Sequence, residues 1–298
     1  MSNKAFAELL KSAASKWSDH NAPRLGAALA YYVLLSIAPL MIFVVGVCGV
    51  FLNRTLAERE LLERIRHEIG YSEANTVRTL LDNAHHASSG IFAAAVALLT
   101  LMFGASGLFV ELRGSLNTIW DAPPPRSSTW RNLLSERLTA FAMVLGFALL
   151  VLVSLLASTA FAFMAKFFGP YVPLHAAVIA EVTNFVVSYI AIAVVFALIF
   201  KFVPEVLIKW RDVGIGAAAT ALLFMIGKSL LAVYIGTAGV GSTYGAAGSL
   251  IALVVWVYYS AQIFFFGAEF TRAYADSFGS RSGSRSFSPE ARGKAAVN

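Results

Sequence analysis

Six stretches of the 298-residue chain are long and apolar enough to cross a bilayer. A membrane-spanning helix needs about 20 mainly apolar residues, and helices satisfy their own backbone polar groups in lipid. The six stretches cover about 27–52, 91–110, the region between 137 and 166, 177–200, 213–235 and 246–268. This pattern predicts an all-α, polytopic membrane protein with six transmembrane helices.

The composition narrows the class of protein in the same direction. Apolar residues make up 58% of the chain and charged residues only 13%, against about 25% charged in an average soluble domain. These values exclude a disordered protein, a basic nucleic-acid-binding domain and an ordinary cytosolic enzyme. The single cysteine, Cys48, excludes an intrachain disulfide and a multi-cysteine metal site. We expect no cofactor and no nucleic-acid partner.

The positions of the basic residues predict how the helices are oriented. If the six stretches alternate in direction, 16 Lys and Arg residues fall on one side of the membrane and 6 on the other. The poorer side also carries six acidic residues in the first connection. Because cytoplasmic loops carry the excess of Lys and Arg, both termini are predicted to be cytoplasmic.

Three segments are predicted outside the six-helix domain at 27–270. Residues 1–26 should contain an amphipathic cytoplasmic helix, with Phe6, Leu9 and Trp17 on its apolar face. This helix either lies in the membrane interface or packs on the bundle. A charged helical insert is expected outside the cell at about 53–90. The basic tail, placed at 271–298, is rich in Ser, Gly and Arg toward its end, which is typical of disorder.

Polar and ionisable residues inside the predicted spans are the candidates for function. They are expensive in lipid and usually face the protein or a water-filled cavity. A shared cavity is one interpretation, and hydrogen bonds and ion pairs that only hold helices together are the other. The candidates for a cavity or an ion pair are Arg24, Tyr32, Ser36, Pro39, Glu181, Asn184, Lys228, Gln262 and Glu269.

Depth in the membrane predicts which of the charged candidates pair. Lys228 lies fifteen residues into its span, about 22 Å along the helix axis, at the depth of Glu181. Arg24 matches Glu269 near the opposite face. We therefore expect the pairs Lys228–Glu181 and Arg24–Glu269. Pro39 should kink the first span, because it removes one backbone donor.

Four motifs resemble the YihY/BrkB family: RLGAALAYY at 24–32, LNTIW at 116–120, YGAAGS at 244–249 and WVYYS at 256–260. The resemblance covers roughly residues 9–276. It implies a multi-pass protein of the bacterial inner membrane with six spans, and it brings no established substrate. The family's older label, ribonuclease BN, is regarded as a misassignment.

Three functions follow from these observations, in order. The first is transport or translocation of a small polar or amphiphilic molecule through a polar cavity, with membrane lipids as partners. The second is a structural scaffold of envelope assembly that transports nothing. The third, a ribonuclease, would depend on Asp82, His85 and His86, which share one helical face that solvation alone explains. The oligomeric state stays open.

Overall fold

The computed structural model describes residues 3–51, 54–68, 74–75, 77–79, 82, 107–123, 176–237 and 248–281. Every regular element within these residues is an α-helix, so the all-α prediction is confirmed for the part described. The helices are α1 (Asn3–Asp19), α2 (Ala22–Phe51), α3 (Arg54–Glu68), α4 (107–119), α5 (Ala176–Phe202), α6 (Trp210–Thr237) and α7 (Gly248–Ser277).

Four of these helices coincide with predicted spans. Two of them, α6 and α7, contain stretches long and apolar enough to cross a membrane, Trp210–Leu231 and Leu250–Ser277. Shorter apolar stretches occur in α2 and α5, at Ala22–Ile37 and Ser188–Phe202. The predicted span between 137 and 166, and most of that at 91–110, lie outside the described residues.

Helix α7 lies at the centre of the described bundle. It packs against α6, α2 and α1, and α5 packs against α6. A group of phenylalanines joins α5 to α7, with ring centroids 5.2 Å apart for Phe200 and Phe264 and 6.0 Å apart for Phe196 and Phe264. The side chain of Phe200 is fully buried. Large aromatic surfaces thus stabilise the contact where α5 ends.

Helices α6 and α7 run antiparallel and interlock through two glycine–threonine pairs. Gly216 of α6 faces Thr271 of α7, and Gly267 of α7 faces Thr220 of α6. A Cβ atom on Gly216 would lie 1.9 Å from Thr271 Oγ1, and one on Gly267 would lie 2.1 Å from Thr220 Oγ1. Small residues four positions apart therefore bring the two backbones close, as in many membrane helix pairs.

The amphipathic helix α1 packs on the end of α7. Leu9 and Ala13 are buried against Phe270 and Tyr274, whereas Phe6 remains 47% exposed. Two locations were predicted for this helix, the membrane interface and the bundle surface. Its central turns pack on the bundle.

The C-terminal end of α7 extends further than the apolar pattern indicates. The domain boundary was predicted at residue 270, but the helix continues to Ser277. The chain then folds back, and the buried carboxylate of Asp212 accepts hydrogen bonds from the backbone N–H (3.0 Å) and the hydroxyl (2.6 Å) of Ser280. Residues 271–281 are thus part of the bundle rather than of a disordered tail.

Candidate functional site

A group of six charged residues lies at one end of the bundle, where α1, α4 and α7 end and α2 begins. We call it the charged cluster. The members lie on α1, on the residue directly after α1, on the turn after α4 and on the last turns of α7. They are Lys16, His20, Asp121, Glu269, Arg272 and Asp276.

The innermost member of the charged cluster is Glu269. Its side chain is 0% exposed, although it lies on a helix that is otherwise mainly apolar. One oxygen, Oε1, lies 2.5 Å from Nδ1 of His20. The other oxygen, Oε2, has no hydrogen-bond partner among the described residues. A buried carboxyl with one free oxygen costs free energy, so this arrangement calls for a function.

Asp121 forms the outer part of the cluster. The guanidinium of Arg272 donates hydrogen bonds to the Asp121 carboxylate and to the backbone oxygen of Ile119. The hydrogen bond from Arg272 is the largest influence on Asp121 and lowers its pKa below the usual aspartate value, against a smaller opposing effect of desolvation. Asp121 is therefore a carboxylate at neutral pH, and its side chain is 66% exposed to water.

His20 lies between these two carboxyl groups. Its Nδ1 contacts buried Glu269, and its Nε2 lies 3.8 Å from Oδ1 of Asp121. The distance of 3.8 Å is too long for a direct hydrogen bond, but one water molecule can bridge such a gap. The three side chains thus form a row that leads from an exposed carboxylate to a buried one.

Two residues in the left-handed region of backbone space position this row. Asn21, with φ 52°, ends α1 and turns the chain into α2 directly after His20. Asp121, with φ 46°, ends α4, where the N–H of Ala122 bonds the Asn117 oxygen at 2.9 Å. This pattern is a Schellman motif, whose left-handed position usually belongs to glycine. Asn and Asp are the side-chain-bearing residues that best tolerate this conformation.

A cleft of about 540 Å³ opens beside the charged cluster. Arg113 of α4 pairs with Glu205 on the segment between α5 and α6, and Asn117 Oδ1 accepts a hydrogen bond from the Glu205 N–H at 2.9 Å. These contacts hold α4 against the α5–α6 connection. The polar residues that line the cleft are His20, Arg113, Asn117, Thr118, Asp121 and Glu205.

The described residue that contacts the Glu269 carboxyl is His20, which was not a predicted candidate. Arg24 is exposed, and the contact that the depth argument assigned to it is made by His20, one helical turn earlier. Gln262 lies against Gly26, and its amide is 3.5 Å from the Pro23 oxygen. Its own oxygen is buried without a partner among the residues that the structure describes.

Two candidates on α2 have described contacts, one within the helix and one with α4. The hydroxyl of Ser36 donates to the backbone oxygen of Tyr32 at 2.8 Å, within its own helix. The Tyr32 ring lies so close to Gly107 of α4 that a Cβ there would be 2.8 Å from it. The side chain of Pro39 lies outside the described residues, as do those of Glu181 and Asn184. Lys228 is half-buried on α6, and its predicted pairing stays a prediction.

Of the three residues considered for a nuclease, Asp82 alone lies in the described part of the chain. Asp82 is 62% exposed and lies 3.8 Å from Arg78, four residues earlier, while His85 and His86 lie outside the described residues. No group of three His, Cys, Asp or Glu side chains suited to a metal ion occurs in the part of the chain that the structure describes.

Sequence reasoning missed most of the charged cluster. His20, Asp121, Arg272 and Asp276 were not candidates, because all four lie just outside the predicted apolar runs. The available signal was position, since each lies within about three turns of a predicted span end, on the side predicted to hold both termini.

Helices of this length and apolarity are consistent with a helical membrane protein. A family model described as virulence factor BrkB matches residues 13–291. The chain belongs to the BrkB family.

Two of three similar curated proteins are named membrane proteins, and the third is named ribonuclease-like. A UPF0761 membrane protein of Tolumonas auensis is 29% identical over 262 residues, which is 86% of this chain and 81% of the relative. One of Ralstonia nicotianae is 26% identical over 87% of this chain but only 57% of its own length. A Bacillus subtilis protein named ribonuclease-like protein YfkH is 25% identical over 87% of this chain and 92% of its own. No solved structure matches.

Proposed function

We propose that this protein is a multi-pass protein of the bacterial inner membrane that transports or translocates a small polar or amphiphilic molecule. The observation that carries the proposal is buried Glu269, whose free oxygen lies next to a charged row that leads to water. Ionisable groups at such positions in membrane helices are expensive and commonly belong to transport paths. The cleft beside the row offers a polar entrance at the same end.

Helix directions support the proposed topology of six spans with both termini in the cytoplasm. Helices α2 and α6 begin at the end that holds the charged cluster, and α4, α5 and α7 finish there. The basic residues of the α5–α6 connection, Lys201, Lys209 and Arg211, therefore lie at the same end as Arg113 and Arg272. One basic end is what the positive-inside rule requires of a cytoplasmic face.

The scaffold remains a second candidate because of the interlock between α6 and α7. Gly216 and Gly267 each accept a threonine side chain from the opposite helix, which leaves no space between these two helices. A transport path through the bundle must then run on another face of α7, next to α2 and α4, where Gln262 and Glu269 lie. A scaffold needs the interlock but not the buried carboxyl, and this favours transport.

The test compares efflux of metabolites and lipids from a deletion strain, the complemented strain and a strain carrying Glu269→Gln. Transport predicts that at least one solute or lipid accumulates in the deletion strain and in the Glu269→Gln strain. The exposed residue Glu63 provides a matched control, since Glu63→Gln should behave as the wild type. Full complementation by Glu269→Gln would favour the scaffold.

The ribonuclease function ranks third and has its own test. Purified protein should leave RNA intact, and Asp82→Ala should not change the cellular phenotype. Cleavage by the purified protein that Asp82→Ala abolishes would instead support a nuclease.

A further inference from the structure

We propose that Glu269 and His20 form a proton-binding site inside the bundle, and that His20 passes the proton between Glu269 and exposed Asp121. The proposal names the ion that would drive the transport proposed above. Its coupling role rests on that function, but the site itself does not.

The burial gradient along the row is the first support. The side chain of Glu269 is 0% exposed, that of His20 is 19% exposed and that of Asp121 is 66% exposed. A proton on Glu269 does not touch bulk water, and the His20 ring that contacts the carboxyl is itself partly exposed. Imidazole suits this role because it accepts and releases protons near neutral pH through two separate nitrogens.

The transfer can be written so that every proton is accounted for. The O–H bond at Glu269 Oε1 breaks and an N–H bond forms at His20 Nδ1, 2.5 Å away. The imidazolium then gives up the proton on Nε2, through one water, to the Asp121 carboxylate 3.8 Å away. Asp121 releases it to solvent, and the ring regains its first form by proton exchange or by rotation. The reverse order loads the site.

The charges around Glu269 suit two protonation states rather than one. His20 and Lys16 face it from α1 and its end, and Arg272 faces it from its own helix. Helix α6 meets α7 on either side of Glu269 through the uncharged Gly216, which contacts Thr271, and Thr220, which contacts Gly267. Arg272 already pairs with Asp121 and lies 3.7 Å from Asp276, so it does not neutralise Glu269 alone. Oε2 accepts no hydrogen bond from a described residue, so the carboxyl can take up a proton on Oε1 without losing a bond at Oε2.

Arg272 acts as a positioning residue for the outer end of the row. It bonds both the Asp121 carboxylate and the Ile119 backbone, and so fixes the turn after α4 against α7. The Asp121 carboxylate is therefore held 3.8 Å from His20 Nε2, a distance that one water molecule can bridge.

The experiment is infrared difference spectroscopy of the full chain in lipid nanodiscs, as the pH changes and with no substrate present. We expect a carbonyl band of a protonated carboxylic acid that appears on acidification and disappears in Glu269→Gln. The control Glu63→Gln, on the exposed face of α3, should keep the band. His20→Gln should slow its response to a pH jump by about 10²-fold, the lower end of the usual contribution of a positioned proton-transfer group.

A second variant and a second measurement decide the case where Glu269→Gln does not fold. Glu269→Asp keeps the carboxyl but withdraws it from His20, so the band should remain with a shifted pH midpoint. Nitrogen-15 spectra of the wild-type histidines should show that His20 Nδ1 responds in the same pH range. Identical difference spectra for the wild type and every Glu269 variant would overturn the proposal, as would a His20 signal that titrates independently of the band.

The outcomes separate this proposal from the proposed function. If the spectra support the site but no solute or lipid accumulates in the deletion strain, the proton site stands and transport fails. If efflux occurs but His20→Gln and Glu269→Gln leave it unchanged, transport stands and the proton is not its coupling ion.

Discussion

Replacing Gly216 by alanine should destabilise the contact between α6 and α7. The added Cβ would lie 1.9 Å from Thr271 Oγ1 and 2.6 Å from both Thr271 Cβ and Cγ2. Rotation about χ1 can move the hydroxyl and the methyl group but not the Cβ. Ordinary contact begins at 3.4 Å, so the helices must separate locally by about 0.8 Å. Overpacking of this kind costs about 1–3 kcal/mol.

The same helix offers a matched control two residues away. Gly214 is exposed, and a Cβ there would meet nothing within 4 Å. Gly214→Ala should therefore show only the gain of about 0.5–1 kcal/mol that alanine brings to a helix interior. Because alanine brings this gain at both positions, the variants should differ by the overpacking cost alone, about 1–3 kcal/mol in free energy of unfolding.

The assay is unfolding in mixed micelles as the fraction of denaturing detergent rises, followed by tryptophan fluorescence. Gly216→Ala should unfold earlier than the wild type, and Gly214→Ala at the same point or later. Adding Thr271→Gly to Gly216→Ala should restore most of the loss, because it removes all three clashing atoms. Equal stability of Gly216→Ala and Gly214→Ala would show that the helices do not interlock as described.

Three further predictions concern other parts of the molecule. Since the pKa of Asp121 is lowered in the folded protein, its contribution to stability is present at neutral pH and lost as the pH falls through that lowered value. Asp121→Asn should therefore melt below the wild type at pH 7, and the difference should vanish in acid. Asp212→Asn should increase hydrogen exchange at 278–281 by about tenfold, because bonds to a charged group contribute about 1.5–3 kcal/mol. Lys228→Glu should lower the folded yield, and adding Glu181→Lys should restore part of it.

The apolar runs predict where helices lie but not where they end. Helix α6 was predicted at 213–235 and runs over Trp210–Thr237, because Arg211 and Asp212 lower the hydropathy of its first turn without preventing a helix. Helix α7 continues to Ser277, well past its predicted end at 268. Its last turns carry Glu269, Arg272 and Asp276, which lower the hydropathy without breaking the helix. These residues face one another and α1 rather than lipid.

The depth argument predicted Arg24 as the partner of Glu269, whereas the residue in contact is His20, at the same end of the bundle. Arg24 and His20 are four residues apart, and depth alone does not distinguish them. The turn at Asn21 decides, since it turns His20 toward α7 and leaves Arg24 exposed. Asp121 was harder still, because its contact with Arg272 spans 151 positions of sequence. An aspartate where a glycine usually ends a helix gives no local sign of a turn.

The aspartate at 121 itself distinguishes a functional site from a purely structural one. Glycine would adopt φ 46° without the cost of about 1 kcal/mol that a side chain incurs in the left-handed region. The exposed ion pair with Arg272 returns about 0–1 kcal/mol, so Asp121→Gly should leave the free energy of unfolding nearly unchanged.

If the charged cluster only joins α4 to α7, that substitution should be silent, because Arg272 keeps the Ile119 oxygen as a partner. If Asp121 is the outer end of a proton path, Asp121→Gly should fold normally but slow the pH response of the Glu269 carbonyl band. Asp121→Glu, which restores the carboxyl at some cost in backbone strain, should bring back the rate while lowering the stability. If the rate of the pH response and the free energy of unfolding instead change together in Asp121→Gly and Asp121→Glu, proton transfer and stability are not separate roles of Asp121. The Asp121 carboxylate would then be needed for the fold rather than for proton transfer.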